Sequence, residues 1–472
     1  MSLLAIELND TGIMAATGEP AVLLEIDDAH RQSPGFALPE KNSLLVGRAA
    51  AGKAHLFPRQ ILNRFWDQLN AEPLETPGAR NLQNNAEVAY HHLARIWGHV
   101  QQRCTEAVVT VPSFYDRQQL GLILGMAQEM AMPLTGFLPQ ALAASATAYP
   151  GKMLLHLDIH LHRTEIVYLK QAQQLTIADS QSASDKGLIY LYRQWVEAIA
   201  KEFVRTTRFD PFHQAASEQD LYDRLPQVLA QLQEHPAVTL EISSGGALHS
   251  VAVTRDWIVD QARSFYEETV RLIESLRKMH GKSDQPVVLQ LTHRFSRLPG
   301  CRQALAAVKD CQIAELNPGA GACGILAIWD RLRDDSHNSG VSFFTSRPWQ
   351  ADDSVKTPAR PAKRPDQKRP THVLYGSIAY PLTDRRLIVG MKNDDGRNVL
   401  QIADSNAGAV PGYCAIWLDG DDVVLESYSG RTTFVDETRV IGRMVLNCGQ
   451  IIRIGIPGEQ LQMIACLNRH ET

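Results

Sequence analysis

The hydrophobic positions in the first two-thirds of the chain alternate between strand-like and helix-like spacing. The opening segment SLLAIEL-NDTG-IMAAT has two apolar runs around a polar turn, which predicts a β-hairpin. Apolar residues three and four apart predict an amphipathic helix over 84–103, and EAVVTVP predicts a short buried strand. KMLLHLDIHLH and TEIVYLK predict a second strand pair, and a long helix is expected at 255–280. Strands that alternate with helices indicate an α/β fold built in layers.

The pattern changes near residue 333. Residues 334–371 are polar, contain several prolines and carry a basic run that consists of Lys356, Arg360, Lys363, Arg364, Lys368 and Arg369. This composition is typical of a linker, although the run could also dock onto an acidic partner. Residues 372–472 hold short apolar segments separated by turn residues, which is typical of an all-β sandwich or barrel. We therefore expect an α/β unit at 1–333, a linker at 334–371 and a small all-β domain at 372–472.

Composition and charge narrow the function classes. The 472 residues include 47 basic and 52 acidic side chains, with a net charge of -5, so a nucleic-acid partner is not expected. No apolar run reaches the roughly 18 residues that a membrane span needs, and the acidic N-terminal segment is unlike a secretory signal. The seven cysteines form no CxxC pair, which indicates reduced thiols and a cytoplasmic protein.

Several segments of residues 1–330 resemble, in the same order, landmarks of the seventy-kilodalton heat-shock chaperones. EAVVTVPSFY and the later PQALAASATAY are similar to the VTVPAYF strand end and NEPTAAALAY of that family. LLVGRAAAGKAHLFP is similar to LVGxAAKxxAxxxP, and NPGAGACGILA is similar to the helix NPDEAVAxGAA. The resemblance implies the two-lobed ATPase fold that these chaperones share with actin and hexokinase. It places the two strand hairpins at the family's two phosphate loops.

The phosphate loops of that family are altered here. Its first loop, D-L-G-T-T, aligns with Glu7–Thr11, so that Asp10 adds a carboxylate beside an anionic ligand. Its second loop, D-L-G-G-G-T-F-D, aligns with Asp158–Glu165, where His, Leu and His replace three glycines. Since glycines let the backbone approach phosphates, the new side chains would fill the phosphate space.

Other nucleotide positions of the family are also replaced. The catalytic lysine aligns with Asn63 and the glutamate of NEP with Leu138, and the paired glycines of the adenosine loop are absent around Gln290–Thr292. The remnants of the nucleotide pocket are Glu7, Asn9, Asp10, Thr11, Asp158 and Glu165. Phosphoryl transfer depends almost entirely on positioning and charge stabilisation, which these replacements remove. We therefore expect no catalytic residue, no metal and no cofactor.

The segments RLIVGM, VPGYCAIW, SGRTTFVDE and LNCGQIIRIG resemble, in order, four landmarks of forkhead-associated (FHA) domains. The positions that read phosphothreonine in that family align with Met391, Pro411, Cys414 and Ser429. The charged and hydrogen-bonding donors that a phosphate dianion requires are thus replaced. The resemblance implies a β-sandwich, and from the replaced positions we infer that it is kept for protein contact rather than for phosphothreonine recognition.

Two other motifs suggest alternatives. Gly47–Lys53 fits the G-x4-G-K of a P-loop, but alanine follows where a magnesium-binding hydroxyl is needed. His156, Asp158, His160 and His162 would line one face of a continuous strand and could bind a metal. The matching region of the family is a hairpin that breaks this line after Asp158. Partly exposed, hydrogen-bonded histidines are therefore expected.

These observations favour a non-catalytic, bacterial-type scaffold or adaptor that acts through contacts with other proteins of a multiprotein complex. The alternative is an ATP-binding, chaperone-like assembly factor with weak hydrolysis. It would use Glu7, Asp158 and Glu165 around a hydrated Mg²⁺, because hard cations prefer carboxylates and water. A sugar-kinase-like activity of the same superfold is a third hypothesis.

Overall fold

The chain is mixed α/β and forms two compact units, Met1–Val355 and Lys356–Thr472. The computed structural model describes residues 3–74, 82–281, 285–334, 340–348, 370–376, 378–390, 399–401, 413–419, 422–427, 433–435, 438–440, 443–455 and 458–465. Within these ranges, no helix combines the length and the apolar character that crossing a membrane requires.

The first unit alternates strands and helices along the chain. Its strands are β1 (Leu3–Glu7), β2 (Met14–Thr17), β3 (Val22–Leu23), β4 (Ala37–Pro39), β5 (Leu44–Val46), β6 (Glu106–Val111), β7 (Leu134–Pro139), β8 (Met153–Ile159), β9 (Arg163–Gln171), β10 (Gln174–Ser184), β11 (Ala237–Ser244), β12 (Ala247–Thr254), β13 (Val287–Leu291), β14 (Cys311–Glu315), β15 (Ser342–Phe343) and β16 (Ser346–Pro348). Its helices are α1 (Arg48–Ala51), α2 (Asn85–Val100), α3 (Arg117–Glu129), α4 (Gln140–Ala144), α5 (Leu188–Thr207), α6 (Ala215–Glu234), α7 (Arg255–Gln261), α8 (Arg263–His280), α9 (His293–Ser296), α10 (Cys301–Leu305) and α11 (Ala320–Asp334).

Two six-stranded sheets of this unit share one arrangement over five of their six strands. The first has the order β15-β7-β6-β1-β2-β3, and the second has the order β14-β13-β8-β9-β10-β16. In each, a meander of three antiparallel strands is extended by parallel strands next to its first strand. Because β1 and β8 hold equivalent places, the hairpin turns that follow them are equivalent as well.

The helices α4 and α11 join the two sheets, since each contacts strands of both. Their shared core is rich in alanine, which lets backbones approach closely. At Gly324 a Cβ atom would lie only 1.9 Å from the Ala143 carbonyl oxygen, so this crossing requires glycine. The strands β8 and β13 are buried along their whole length, as expected for strands covered on both faces.

Most predicted elements of this unit are confirmed, with two corrections. The helix predicted at 255–280 is two helices that meet at Ala262. The linker predicted from residue 334 begins too early, because β15 pairs with β7 and β16 pairs with β10. These edge strands are only two and three residues long and largely polar. Their sequences therefore show no alternation of apolar and polar residues from which a strand could be predicted. The basic run at 356–369 lies outside the described residues.

The second unit consists of short strands, as its pattern predicts. They are β17 (His372–Tyr375), β18 (Ile378–Pro381), β19 (Leu387–Gly390), β20 (Val399–Gln401), β21 (Cys414–Asp419), β22 (Asp422–Ser427), β23 (Thr433–Val435), β24 (Thr438–Arg439), β25 (Arg443–Leu446), β26 (Ile451–Gly455) and β27 (Gly458–Ile464). They form a six-stranded sheet, β18-β17-β27-β26-β23-β24, and a five-stranded sheet, β20-β19-β21-β22-β25. Residues of both sheets share one hydrophobic core.

Candidate functional site

The turns after β1 and β8 face each other and are held together by direct hydrogen bonds. Asn9 Nδ2 donates to the carbonyl of Ile159 at 3.2 Å, and the amide of Leu161 donates to Asp10 Oδ1 at 2.8 Å. All four residues are buried. Each turn therefore fills the space in front of the other with its own side chains.

Asp158, near the end of β8, accepts hydrogen bonds at both carboxylate oxygens. Its Oδ2 accepts from Asn9 Nδ2 and from Gln140 Nε2, each at 2.9 Å. Its Oδ1 accepts from Thr292 Oγ1 at 2.6 Å and from the backbone amide of Ile159 at 2.9 Å. Burial would raise the pKa of Asp158, but nearby cations and the Thr292 hydroxyl hold it below its usual value. The carboxylate is therefore ionised, and both of its oxygens already accept two hydrogen bonds from the chain.

Glu7, at the end of β1, is buried against the N-terminus of α11. Its Oε2 accepts from the backbone amides of Gly321 at 2.7 Å and Ala322 at 3.2 Å. Free amides and the helix dipole favour a negative charge at this place. A carboxylate of the chain itself thus occupies the anion position that the helix offers.

The guanidinium of Arg294 connects these two carboxylates. Arg294 belongs to α9, just after β13, and its side chain is only 7% exposed. Its Nη2 donates to Glu7 Oε1 at 2.8 Å and to the carbonyl of Gly12 at 3.0 Å. Its Nη1 lies 3.9 Å from Asp158 Oδ2. A cation supplied by the chain therefore lies between the acidic ends of the two sheets.

His160 supplies a second buried cation. Its Nδ1 lies 3.6 Å from Asp10 Oδ1, its Nε2 lies 3.9 Å from Glu165 Oε2, and its ring meets the edge of Phe114. Burial alone would lower the pKa of His160, but the carboxylates of Asp10 and Glu165, with Asp158 nearby, raise it to about 10. The imidazole is therefore protonated at neutral pH.

This raised pKa predicts a stability that declines with pH. The folded chain keeps a proton on His160 that the unfolded chain loses above about pH 6.5, so the contribution is full below that pH and falls toward about pH 10. Near pH 6.5 the buried histidines with lowered pKa values, such as His92 and His293, act in the opposite direction, so the quantity to follow is the difference in stability between the wild type and His160→Gln. Between about pH 7.5 and 8.5, below the range of the cysteines, this difference should fall by about 1.4 kcal/mol per pH unit. Urea unfolding of both proteins measures it. A difference that does not change over this range would contradict the assignment.

The predicted remnant residues are brought together, but they bind one another. Thr11 donates to Asn9 Oδ1 through both its amide (2.9 Å) and its hydroxyl (2.7 Å), so it closes its own turn. Glu165 lies directly opposite Asp158 in the strand register. The metal-binding alternative finds no support, because within the described ranges no three or more His, Cys, Asp or Glu side chains are placed so that they could hold a metal ion together.

The two aligned catalytic positions lie apart from this cluster. Leu138 is fully buried in the core between the sheets, and Asn63 meets His162, whose Nε2 lies 3.1 Å from Asn63 Oδ1. The expectation of partly exposed histidines is wrong, since His156 and His160 are 2% exposed and His162 is 7% exposed. His156 lies within the buried strand β8, His160 lies between Asp10 and Glu165, and His162 packs against Asn63.

Three functional residues were missed from sequence, namely Gln140, Thr292 and Arg294. Gln140 follows β7, whereas Thr292 and Arg294 follow β13. The carboxyl ends of parallel strands meet at one edge of a sheet, which is where ligands bind in open α/β folds. The polar residues that follow each buried strand were therefore the feature of the sequence that could have predicted these three residues.

The P-loop alternative does not fit the geometry of Gly47–Lys53. Among the described residues, the preceding strand, β5, pairs only with β4, in an antiparallel hairpin. The amide of Arg48 donates to Asp27 Oδ2 at 2.8 Å, and a Cβ at Gly47 would lie 2.3 Å from the same oxygen. A carboxylate already occupies the place that a phosphate would need.

A buried chain of Trp66, His92, Ser33 and Asp27 is a structural network rather than a catalytic triad. Trp66 Nε1 donates to His92 Nδ1 at 3.0 Å, which leaves the ring proton on Nε2. His92 Nε2 therefore donates to Ser33 Oγ at 2.8 Å, and Ser33 donates to Asp27 Oδ2 at 2.7 Å. Burial also lowers the pKa of His92 to about 4. The histidine cannot take the serine proton in this arrangement.

In the second unit, one aligned phosphothreonine position falls within the described ranges. Cys414 begins β21 and is fully buried in the core shared by the two sheets. Burial raises the pKa of its thiol to about 12. Its side chain is therefore out of reach of a peptide. Met391, Pro411 and Ser429 lie outside the described residues.

Neither a protein-family model nor a curated protein sequence matches the chain.

Proposed function

We propose that the chain is a non-catalytic scaffold or adaptor built on a degenerate, two-lobed ATPase fold of the actin and heat-shock-chaperone type. The observation that carries the proposal is the position of Arg294. Its buried guanidinium donates to Glu7 and lies beside Asp158, where a nucleotide-binding protein would need an exchangeable ligand and cation. The chain itself provides the cation that holds the two sheets together at this edge.

The net charge of the buried residues around Arg294 and His160 also disfavours the binding of a triphosphate. The carboxylates of Glu7, Asp10, Asp158 and Glu165 face the cations of Arg294 and His160, which leaves a formal charge of 2 − 4 = −2. Like charges in a buried region repel strongly because solvent screens them little. A phosphate chain would have to displace both turns and overcome this repulsion.

The fold agrees with the proposal at two further places. The repeated strand order of the two six-stranded sheets and the facing turns after β1 and β8 support the two-lobed comparison. In the second unit, the paired sheets support an FHA-like module, and the burial of Cys414 argues against phosphothreonine recognition. On this proposal both units contact proteins of a cytoplasmic, multiprotein complex, with no nucleic acid as partner.

One observation favours the alternative of an ATP-binding assembly factor with weak hydrolysis. Glu165 lies opposite Asp158, and its Oε1 has no hydrogen-bond partner among the described residues. Arg294 Nε and Nη1 likewise have no hydrogen-bond partner among the described residues. These atoms could bind a hydrated Mg²⁺ and a phosphate if Arg294 swung aside.

Thermal unfolding with and without Mg-ATP separates the two functions. A ligand at a hundredfold its dissociation constant adds about 2.7 kcal/mol to the folded state. We expect no change in the unfolding temperature at millimolar Mg-ATP, because Arg294 and the two turns fill the cleft. A clear rise in the wild type that disappears in Asp158→Ala would support the alternative instead.

A further inference from the structure

A surface groove lies between α7, α8 and α10, remote in sequence from the turns after β1 and β8. Its volume is about 800 Å³. Its floor is apolar and is formed by Val259, Tyr266, Val270 and Ala304. Such a concave apolar surface on helices suits the side chains of a short peptide segment.

The groove is preformed by close contacts beneath it. Gly300, which precedes α10, has a φ of 78°, and a Cβ there would lie 2.6 Å from Val259 Cγ2. The hydroxyl of Tyr266 donates to the carbonyl of Pro299 at 2.5 Å. These contacts fix α10 against α7 and α8, so little ordering is needed when a partner binds.

The charged residues that line the groove are the acids Asp256, Asp260 and Glu267 and the arginines Arg263 and Arg271, so the rim has a small excess of negative charge. Its two arginines are paired with neighbouring acids, Arg263 of α8 with Asp260 of α7 and Arg271 with Glu268 within α8. The rim residues Asp256 and Glu267 have no cationic partner in the part of the chain that the structure describes. The groove thus offers two unpaired carboxylates beside an apolar floor.

We propose that this groove binds a basic, amphipathic peptide segment of another protein. Aliphatic side chains of the segment pack on Val259, Val270 and Ala304, and its lysines or arginines pair with Asp256 and Glu267. Charge complementarity favours this partner over an acidic segment, whose carboxylates the rim would repel. The proposal goes beyond the proposed function, and it holds whether or not the cleft binds nucleotide.

The test uses full-length protein and a labelled twelve-residue peptide of leucine and lysine with its leucines at helical spacing. Its twin carries glutamate in place of lysine. Fluorescence anisotropy should show saturable binding of the lysine peptide alone. The double variant Asp256→Lys, Glu267→Lys should weaken it at least tenfold, as should Ala304→Trp, which fills the floor. The control Glu129→Lys, on the exposed face of α3, should leave it unchanged.

Equal binding of both peptides, no saturation at millimolar protein, or binding unaffected by the groove variants would overturn the proposal. A loss of binding in Glu129→Lys equal to that in the double variant would also overturn it, because it would show a general attraction of basic peptides. If Ala304→Trp does not fold, the double variant decides, since Asp256 and Glu267 are exposed and their replacement preserves the core.

Discussion

Replacing Arg294 with alanine should lower the free energy of unfolding by about 3–5 kcal/mol, because it leaves the buried carboxylates of Glu7 and Asp158 without their shared cation. Differential scanning calorimetry of the full-length chain measures the loss. The matched control is Arg297→Ala, three residues further along on the exposed surface, which should change stability by less than about 0.5 kcal/mol.

A double-mutant cycle tests the reason for this loss. In a Glu7→Gln background, Arg294→Ala should cost less by at least about 1 kcal/mol, because one of the two buried charges has been removed. Glutamine keeps an oxygen that can accept from the amides of Gly321 and Ala322. An equal cost in both backgrounds would show that Arg294 contributes packing rather than charge, and the role given to it here would be wrong.

Replacing Gly324 with alanine should destabilise the first unit by about 2–3 kcal/mol, although alanine is the better helix former. The new Cβ would meet the carbonyl oxygen of Ala143 at 1.9 Å, and neither helix backbone can move without separating the sheets. The controls are Gly121→Ala and Gly125→Ala in α3, where nothing lies within 4 Å. Each should stabilise by about 0.5–1 kcal/mol.

Urea unfolding of the three variants measures this contrast. Gly324→Ala should move the midpoint down, and both α3 variants should move it up. If Gly324→Ala were neutral, the close crossing of α4 and α11 would not exist in solution, and the position of the two sheets relative to each other would need revision.

The elements were predictable where local pattern and tertiary environment agree. EAVVTVP is a continuous apolar run, and it forms β6, whose last five residues are buried. The apolar spacing at 84–103 forms α2, whose N-terminus is capped by Asn84. In these segments hydrophobic period and burial give the same answer.

The site was predictable only in part. The acidic residues Glu7 and Asp158 could be predicted because the hairpins that contain them resemble the two phosphate loops of the chaperone family. The roles of Arg294 and Gln140 could not be predicted, because each contacts a residue of the other sheet that is distant in sequence. The edge strand Ser346–Pro348 was missed for a similar reason, because it is defined by pairing with β10 rather than by hydrophobic period.

The most direct measurement of the central claim is isothermal titration calorimetry of the full-length protein with Mg-ATP and Mg-ADP. We expect no heat of binding at millimolar nucleotide, because Arg294 lies between Glu7 and Asp158, His160 lies between Asp10 and Glu165, and the two turns face each other directly. The matched titration of Asp158→Ala should give the same flat trace. A micromolar dissociation constant for either nucleotide that is lost in Asp158→Ala would contradict the claim and identify a working nucleotide site.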